Sequence, residues 1–196
     1  MDSELPQYSS QEIQVLESFV GSGTVNRVLA GGREMLCKAQ RTGLLDPKLE
    51  RELVSLQTIK ASSTESRSVR TPALIGYVKH AENGHVIGLL REWVVPGVAG
   101  GRLDDVCDST TSTERREKWA AQIRETVDQL HEMGLVWGDG KPSNVIIDSE
   151  DDAWLIDLAG GWTDRWVDRE VADTVEGDEH AVRNIIKFLG VEGGDS

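Results

Sequence analysis

Three oxygen-bearing side chains stand at fixed intervals in the C-terminal half of the chain. Asp139 lies five residues before Asn144, inside the polar run 137–144, and Asp157 follows thirteen residues after the asparagine. Asp157 ends an apolar run, so it places a carboxylate at the exit of a buried strand, where an unpartnered charge is costly. A metal site would account for that placement, because carboxylate and amide oxygens are hard ligands that suit Mg²⁺.

The amino-acid composition limits the classes of protein to which the chain can belong. The chain has 196 residues, 38% of them apolar, which is enough for one compact domain or a small two-lobed unit. Its net charge of −13 argues against nucleic acid or an anionic membrane as the main partner, because both need clustered Lys and Arg. Two cysteines make no disulfide framework, and neither a signal peptide nor a membrane span is evident. We therefore expect an intracellular protein of the cytoplasm or nucleus.

Turn residues and apolar runs divide the chain into four parts. We expect a polar leader at 1–12, a lobe of strands at 13–95, a hinge at 96–101 and a mainly helical lobe at 102–196. The first lobe reads as five short strands, with one helix between the third and the fourth. Asp46 and Pro47 open that helix, as its N-cap and its first helical residue.

The second lobe begins with a long amphipathic helix. Thr113 can cap this helix, and Gly134 marks its end. A last helix ends before Gly190, and Asp178 has two interpretations there. The residues themselves suit the N-cap of the last helix, whereas the family resemblance described next implies a carboxylate that binds the backbone of the run 137–144.

With these motifs, the chain resembles the protein-kinase-like superfamily over roughly residues 15–190. It is similar to compact atypical kinases, including those of the KEOPS type, aminoglycoside and choline phosphotransferases, and short fungal kinase-like proteins. The resemblance implies a bilobal α+β fold, with a five-stranded antiparallel sheet and one helix in the first lobe and a truncated, mainly helical second lobe. It also implies ATP and Mg²⁺ as cofactors, and transfer of the γ-phosphate to a hydroxyl of a protein or a small alcohol.

The same resemblance gives a role to each residue of the polar run. Asp139 matches the catalytic aspartate that orients the substrate hydroxyl, and Lys141 matches the lysine that neutralises the γ-phosphate. Asn144 and Asp157 match the two metal ligands. Without the resemblance, Asp139 would be a residue of a polar turn and Lys141 an ordinary surface lysine.

Lys38 matches the lysine that pairs the α- and β-phosphates, and Glu52 matches its helix partner. Glu52 lies beside the apolar stripe that contains Leu49 and Leu53, so it can face the strand, whereas Glu50 is the alternative on a solvated face. The other residues implied to bind the nucleotide are Gly21, Gly23, Val28, Glu92, Trp93 and Val94.

Several positions depart from the family pattern. Asn26 replaces the third glycine of the phosphate-covering loop, Leu158 follows the metal-binding Asp157, and Arg91 precedes the segment that would bind adenine. The departures at Asn26 and Leu158 leave a second hypothesis open, in which the chain is a pseudokinase that binds nucleotide or a partner protein without transferring phosphate. The short second lobe also suggests that a partner protein assists substrate docking.

Overall fold

The computed structural model describes residues 5–19, 24–62, 69–97 and 101–191. Within these ranges the chain has α+β structure. The strands are β1 (Gln7–Ser9), β2 (Gln14–Ser18), β3 (Val25–Ala30), β4 (Arg33–Ala39), β5 (Leu74–Lys79), β6 (Val86–Glu92), β7 (Val145–Ile147) and β8 (Ala153–Leu155). The α-helices are α1 (Pro47–Ser62), α2 (Leu103–Val106), α3 (Thr113–Glu132) and α4 (Val175–Leu189).

The chain divides into two compact units. The first contains residues 1–61 and 72–93, and the second contains residues 62–71 and 94–196. The division after Trp93 comes before the hinge predicted at 96–101. The chain at either end of this predicted hinge belongs to the second unit, where the main-chain N–H of Gly97 donates to Ile147 (3.0 Å) and the carbonyl of Gly101 accepts from Ile147 (2.7 Å). Residues 98–100 lie outside the described ranges.

In the described part of the first unit, six strands form one mixed sheet in the order β1-β5-β6-β4-β3-β2. Five of them pair antiparallel, whereas β1 runs parallel to β5 at the edge of the sheet. The predicted count of five strands and the fully antiparallel arrangement are therefore wrong. The extra strand lies inside the segment 1–12 that we predicted to be a polar leader.

Helix α1 begins as predicted. Its first residue is Pro47, and the Asp46 carboxylate accepts hydrogen bonds from the main-chain N–H groups of Lys48 and Leu49, both at 3.0 Å. The predicted apolar stripe is buried, and burial of such surface provides about 25 cal/mol per Å². Its members are Leu49, Leu53, Leu56 and Ile59.

In the second unit, α3 packs against α4 and β8. The cap of α3 is Ser112, whose hydroxyl accepts from the main-chain N–H of Arg115, so the start of the helix differs by one residue from the prediction. Thr174 caps α4, and Gly190 ends it in the left-handed conformation at φ 65°. None of the helices in the described ranges combines the length and the apolar character needed to cross a membrane.

Candidate functional site

A small hairpin positions Asn144 and Asp157. Asn144 ends a turn of 3₁₀-helix just before β7, and Asp157 follows β8. Because β7 and β8 are antiparallel neighbours, the start of one strand lies beside the end of the other. The main-chain N–H of Ile156 donates to the carbonyl of Asn144 at 2.9 Å, so a hydrogen bond joins the two segments one residue before Asp157.

Asp139 contacts both Lys141 and Thr163, and these two residues also contact each other. Lys141 Nζ lies 2.5 Å from Asp139 Oδ2, and the Thr163 hydroxyl donates to Asp139 Oδ1 at 2.6 Å. Lys141 also donates to the Thr163 hydroxyl at 2.7 Å. The carboxylate is only 15% exposed, so the ammonium partner stabilises its charge where water screens it weakly. In this geometry a carboxylate accepts a hydrogen bond from an alcohol beside a cation.

Asn144 is tied to the same group. Its side chain is buried, and Nδ2 donates to the main-chain carbonyl of Asp139 at 2.8 Å and approaches the Asp139 carboxylate at 3.4 Å. These contacts use the amide nitrogen and leave Oδ1 as the atom that can face a cation. The structure therefore brings Asp139, Lys141 and Asn144 together, as the sequence predicts.

The backbone of Asp157 is in a rare conformation. Its φ is 64°, in the left-handed region that residues other than glycine seldom adopt. The preceding residue, Ile156, is hydrogen-bonded through both main-chain groups, because the indole N–H of Trp137 donates to its carbonyl at 2.9 Å. Strained backbone that its surroundings hold in place is concentrated at functional sites, which is consistent with a functional role for Asp157.

Asp178 holds the backbone that leads into Asp139. Its fully buried carboxylate accepts hydrogen bonds from the main-chain N–H groups of Trp137 (2.7 Å) and Gly138 (2.8 Å). His131 Nε2 lies 2.9 Å from the same carboxylate. Because Thr174 is the N-cap of α4, the structure decides between our two interpretations of Asp178 in favour of the loop-binding carboxylate.

Gly140 allows this loop to lie directly on α4. A Cβ atom at this position would be 2.6 Å from the Cβ of Ala181 and 2.9 Å from the ring of Trp137. Both contacts are closer than carbon atoms tolerate, so any side chain here would displace the loop. The glycine between Asp139 and Lys141 therefore has a packing role.

In the first unit, Lys38 and Glu52 form the predicted pair. Lys38 Nζ lies 2.5 Å from Glu52 Oε2, and the Glu52 side chain is buried. Glu50, the alternative, is exposed. Glu52 also faces Arg91, whose Nε lies 3.7 Å from Oε1.

The sheet register separates Val28 from this pair. Val25 is directly opposite Lys38, whereas Val28 is opposite Met35. Opposed residues share a face and successive residues alternate, so Val28 points to the face away from Lys38. It is 1% exposed, inside an apolar cluster with Met35 and Cys37. The assignment of Val28 to the nucleotide site is thus not supported by its position.

The other predicted nucleotide contacts have mixed outcomes. The main-chain N–H of Glu92 donates to Ala73 at 2.8 Å, so this group is engaged within the sheet. The ring of Trp93 stacks on Phe19, with centroids 5.6 Å apart. Val94 is buried in the second unit. Gly21 and Gly23 lie outside the described residues.

Two groups of side chains were missed by sequence reasoning. Thr163 reaches Asp139 only through tertiary structure, because its loop carries no local motif. The second group contains Asp128 and His131 on α3 and Glu179 on α4, which offer one potential metal-ligand atom each within 4.8 Å of one another. The spacing of Asp128 and His131, three apart on a helix, was the available sequence signal.

Comparison of the chain with known protein families gave no match, and comparison with curated proteins gave none either. Two side-chain groups carry the functional argument. One is the Asp139, Lys141 and Thr163 group, joined by Asn144, and the other is the pair of Lys38 and the buried Glu52.

Proposed function

We propose that the protein is an ATP-dependent phosphotransferase of protein-kinase-like fold that transfers the γ-phosphate to a hydroxyl group. The observation that carries the proposal is the contact between Asp139 and the hydroxyl of Thr163, with Lys141 bound to both. An acceptor hydroxyl in the place of Thr163 would be oriented by Asp139, which could take its proton. Lys141 would then compensate the charge of the incoming phosphoryl group.

Asn144 and Asp157 are the candidate ligands of a magnesium ion. Asn144 can offer its amide oxygen and Asp157 its carboxylate, and both are oxygen ligands of the kind that Mg²⁺ selects. When bound, Mg²⁺ supplies positive charge that neutralises the phosphates during transfer. The hydrogen bonds on either side of Ile156 fix the backbone that leads to Asp157, so little ordering would accompany metal binding.

Lys38 is the candidate ligand of the α- and β-phosphates. Glu52 fixes the position of its ammonium group, so the lysine is ordered before the nucleotide arrives. In this interpretation, the unit that holds the six-stranded sheet corresponds to the smaller lobe of a kinase, and the unit that holds α3 and α4 corresponds to a shortened larger lobe.

The acceptor would be a serine or threonine of a protein, or a small alcohol. Between Asp157 and residue 191, the last that the structure describes, the second unit has few elements that could bind an extended peptide, namely a short turn of 3₁₀-helix and α4. A docking protein would supply the contacts that this unit does not. ATP as the donor is consistent with a cytoplasmic or nuclear location.

A pseudokinase is the second candidate, and it is favoured by the occupancy of the Asp139 carboxylate, which Lys141 and Thr163 already contact. The Thr163 hydroxyl stands where an acceptor hydroxyl would bind, and Lys141 is bound to Asp139 and Thr163. Transfer to an external acceptor requires Thr163 to give up one of these contacts. A protein that keeps them would bind nucleotide without turnover.

The test combines turnover with nucleotide binding. We would measure Mg²⁺-dependent release of ADP from ATP and, separately, ADP affinity by calorimetry, for the wild type and for Asp139→Asn and Asp157→Asn. Asp168→Asn is the matched control, because its side chain is 79% exposed. We expect Asp139→Asn to lower turnover by about 10²–10⁴-fold while ADP affinity is kept, and Asp157→Asn to lower both.

Three results would contradict the proposal. If the wild type binds ADP but shows no turnover with protein or small-alcohol acceptors, the pseudokinase alternative is correct. If the wild type binds no nucleotide, the phosphotransferase is wrong, and of the second candidate only a pseudokinase that binds a partner protein remains. Equal activity of the Asp139→Asn variant and the Asp168→Asn control would remove Asp139 from the mechanism.

A further inference from the structure

Two cations share one buried carboxylate in the first unit. Lys38 approaches Oε2 of Glu52 at 2.5 Å, and Arg91 approaches Oε1 of the same side chain at 3.7 Å. The side chains of Arg91 and Glu52 are each only 3% exposed, and that of Lys38 is 15% exposed. Water therefore screens the charges of this group weakly, and a change at one member is felt by the others.

The sheet register gives Arg91 this position. Lys38 is opposite Leu89 and Arg91 is opposite Leu36, in the antiparallel pairing of β4 and β6. Lys38 and Arg91 are therefore diagonal neighbours on one face of the sheet, the face that carries Glu52 of α1. The arrangement follows from strand alternation, so the arginine cannot leave this face without a slip in register.

A buried carboxylate needs a partner at all times. If Lys38 were the sole cation at Glu52, a phosphate that attracted the lysine would compete directly with the carboxylate, and both anions would depend on one ammonium group. Arg91 changes this balance, because it can remain beside Glu52 while Lys38 turns to the phosphate. Its guanidinium keeps its charge, and at 3.7 Å from Oε1 its Nε acts on Glu52 through that charge.

We propose that Arg91 is a positioning residue of the nucleotide site, which holds Glu52 and so releases Lys38 to bind the diphosphate part of a nucleotide. This inference rests on the proposed function, because it assumes that Lys38 binds nucleotide phosphates. It adds a second cation to the pair of Lys38 and Glu52. Arg91 acts through Glu52 and does not touch the reacting atoms.

The test compares a ligand that carries phosphates with one that does not. Calorimetry would measure the affinity of ADP with Mg²⁺, and of adenosine, for the wild type, Arg91→Met and Arg91→Lys. We expect Arg91→Met to weaken ADP binding by roughly tenfold, because Glu52 then competes fully for Lys38. Adenosine affinity should stay unchanged, and Arg91→Lys should restore most of the ADP affinity.

A second background makes the test specific to Glu52. In a Glu52→Gln protein no carboxylate competes for Lys38, so adding Arg91→Met should change ADP affinity by less than about threefold. The double variant also removes the charges of Arg91 and Glu52 together, and a buried site tolerates this better than the loss of one charge. If Arg91→Met alone does not fold, the double variant is the one to measure, against Glu52→Gln.

The outcomes separate this inference from the proposed function. If the wild type does not bind ADP, the proposed function fails and this inference fails with it. If the wild type binds ADP, three results overturn the inference alone. They are an unchanged ADP affinity in Arg91→Met, an equal loss of ADP and adenosine affinity, or the same loss in both Glu52 backgrounds.

Discussion

Replacing Asp178 by alanine should destabilise the second unit far more than the loss of an ordinary helix cap. The fully buried carboxylate is the acceptor for the main-chain N–H groups of Trp137 and Gly138, and it contacts His131. Alanine leaves these groups without an acceptor. The loss would therefore be felt in the loop that carries Asp139.

The size of the effect follows from these contacts. A buried donor that loses its partner costs about 1–3 kcal/mol. With two main-chain donors affected at Asp178, we expect a loss of about 4 kcal/mol in the free energy of unfolding. An N-cap is worth about 1 kcal/mol, so Thr174→Ala provides the comparison on the same helix. Asp178→Asn should have an intermediate effect, because its amide keeps one acceptor oxygen but turns a donor toward the other N–H.

The assay is urea unfolding at pH 7, followed by circular dichroism, with Asp168→Ala as the exposed control. Hydrogen exchange of the Trp137 and Gly138 amides should be faster in Asp178→Ala than in the wild type. The reasoning is refuted if Asp178→Ala costs no more than Thr174→Ala and these two amides keep their protection.

Three further predictions concern packing and titration. Gly140→Ala should lower the free energy of unfolding by about 2 kcal/mol, because its Cβ atom would lie 2.6 Å from that of Ala181. Adding Ala181→Gly should restore part of this loss, as measured by urea unfolding. Hydrogen bonds from Gln122 and Lys118 lower the pKa of Asp152 in the folded protein. The carboxylate therefore stabilises the fold above the unfolded pKa of about 4, and this stabilisation is lost as the pH falls through the folded pKa. Asp152→Asn should be less stable than the wild type at pH 7 but equally stable in strong acid, as urea unfolding at both pH values would show. Burial raises the pKa of the Cys37 thiol to about 12, so a thiol reagent at pH 8 should label it only after unfolding, as a Cys107→Ser protein would show by mass spectrometry.

Local chemistry made the helix around Glu52 predictable. Asp46 and Pro47 are adjacent in sequence, and the apolar stripe repeats every three or four residues, so the start and the buried face of α1 follow from nearby residues alone. The choice of Glu52 over Glu50 used the same periodicity, and it is confirmed by the contact with Lys38.

Features that depend on contacts between residues distant in sequence could not be predicted. Asp178 sits in a sequence that suits an N-cap, but its hydrogen-bond partners lie some forty residues earlier. Val28 was assigned through the family resemblance, whereas its face depends on the pairing of β3 with β4. Thr163 is close to Asp139 because of loop packing that no periodicity encodes.

The short first strand was missed for a related reason. Three residues are too few to show an alternating pattern, and the partner strand, β5, lies much later in the chain. Parallel pairing of this kind is set by the completed sheet, because β1 adds its hydrogen bonds only once β5 is in place.

That strand affects how the protein can be shortened or tagged. The carbonyl of Pro6 accepts a hydrogen bond from the main-chain N–H of Tyr77 at 3.0 Å. Tyr8 lies against the turn after β3, where its hydroxyl would be 2.9 Å from a Cβ atom at Gly31. Trimming the chain beyond Pro6 would uncover the main-chain groups of β5, and a bare strand edge is prone to pair with other molecules and aggregate. A cleavable purification tag should therefore leave the residues from Leu5 onward intact.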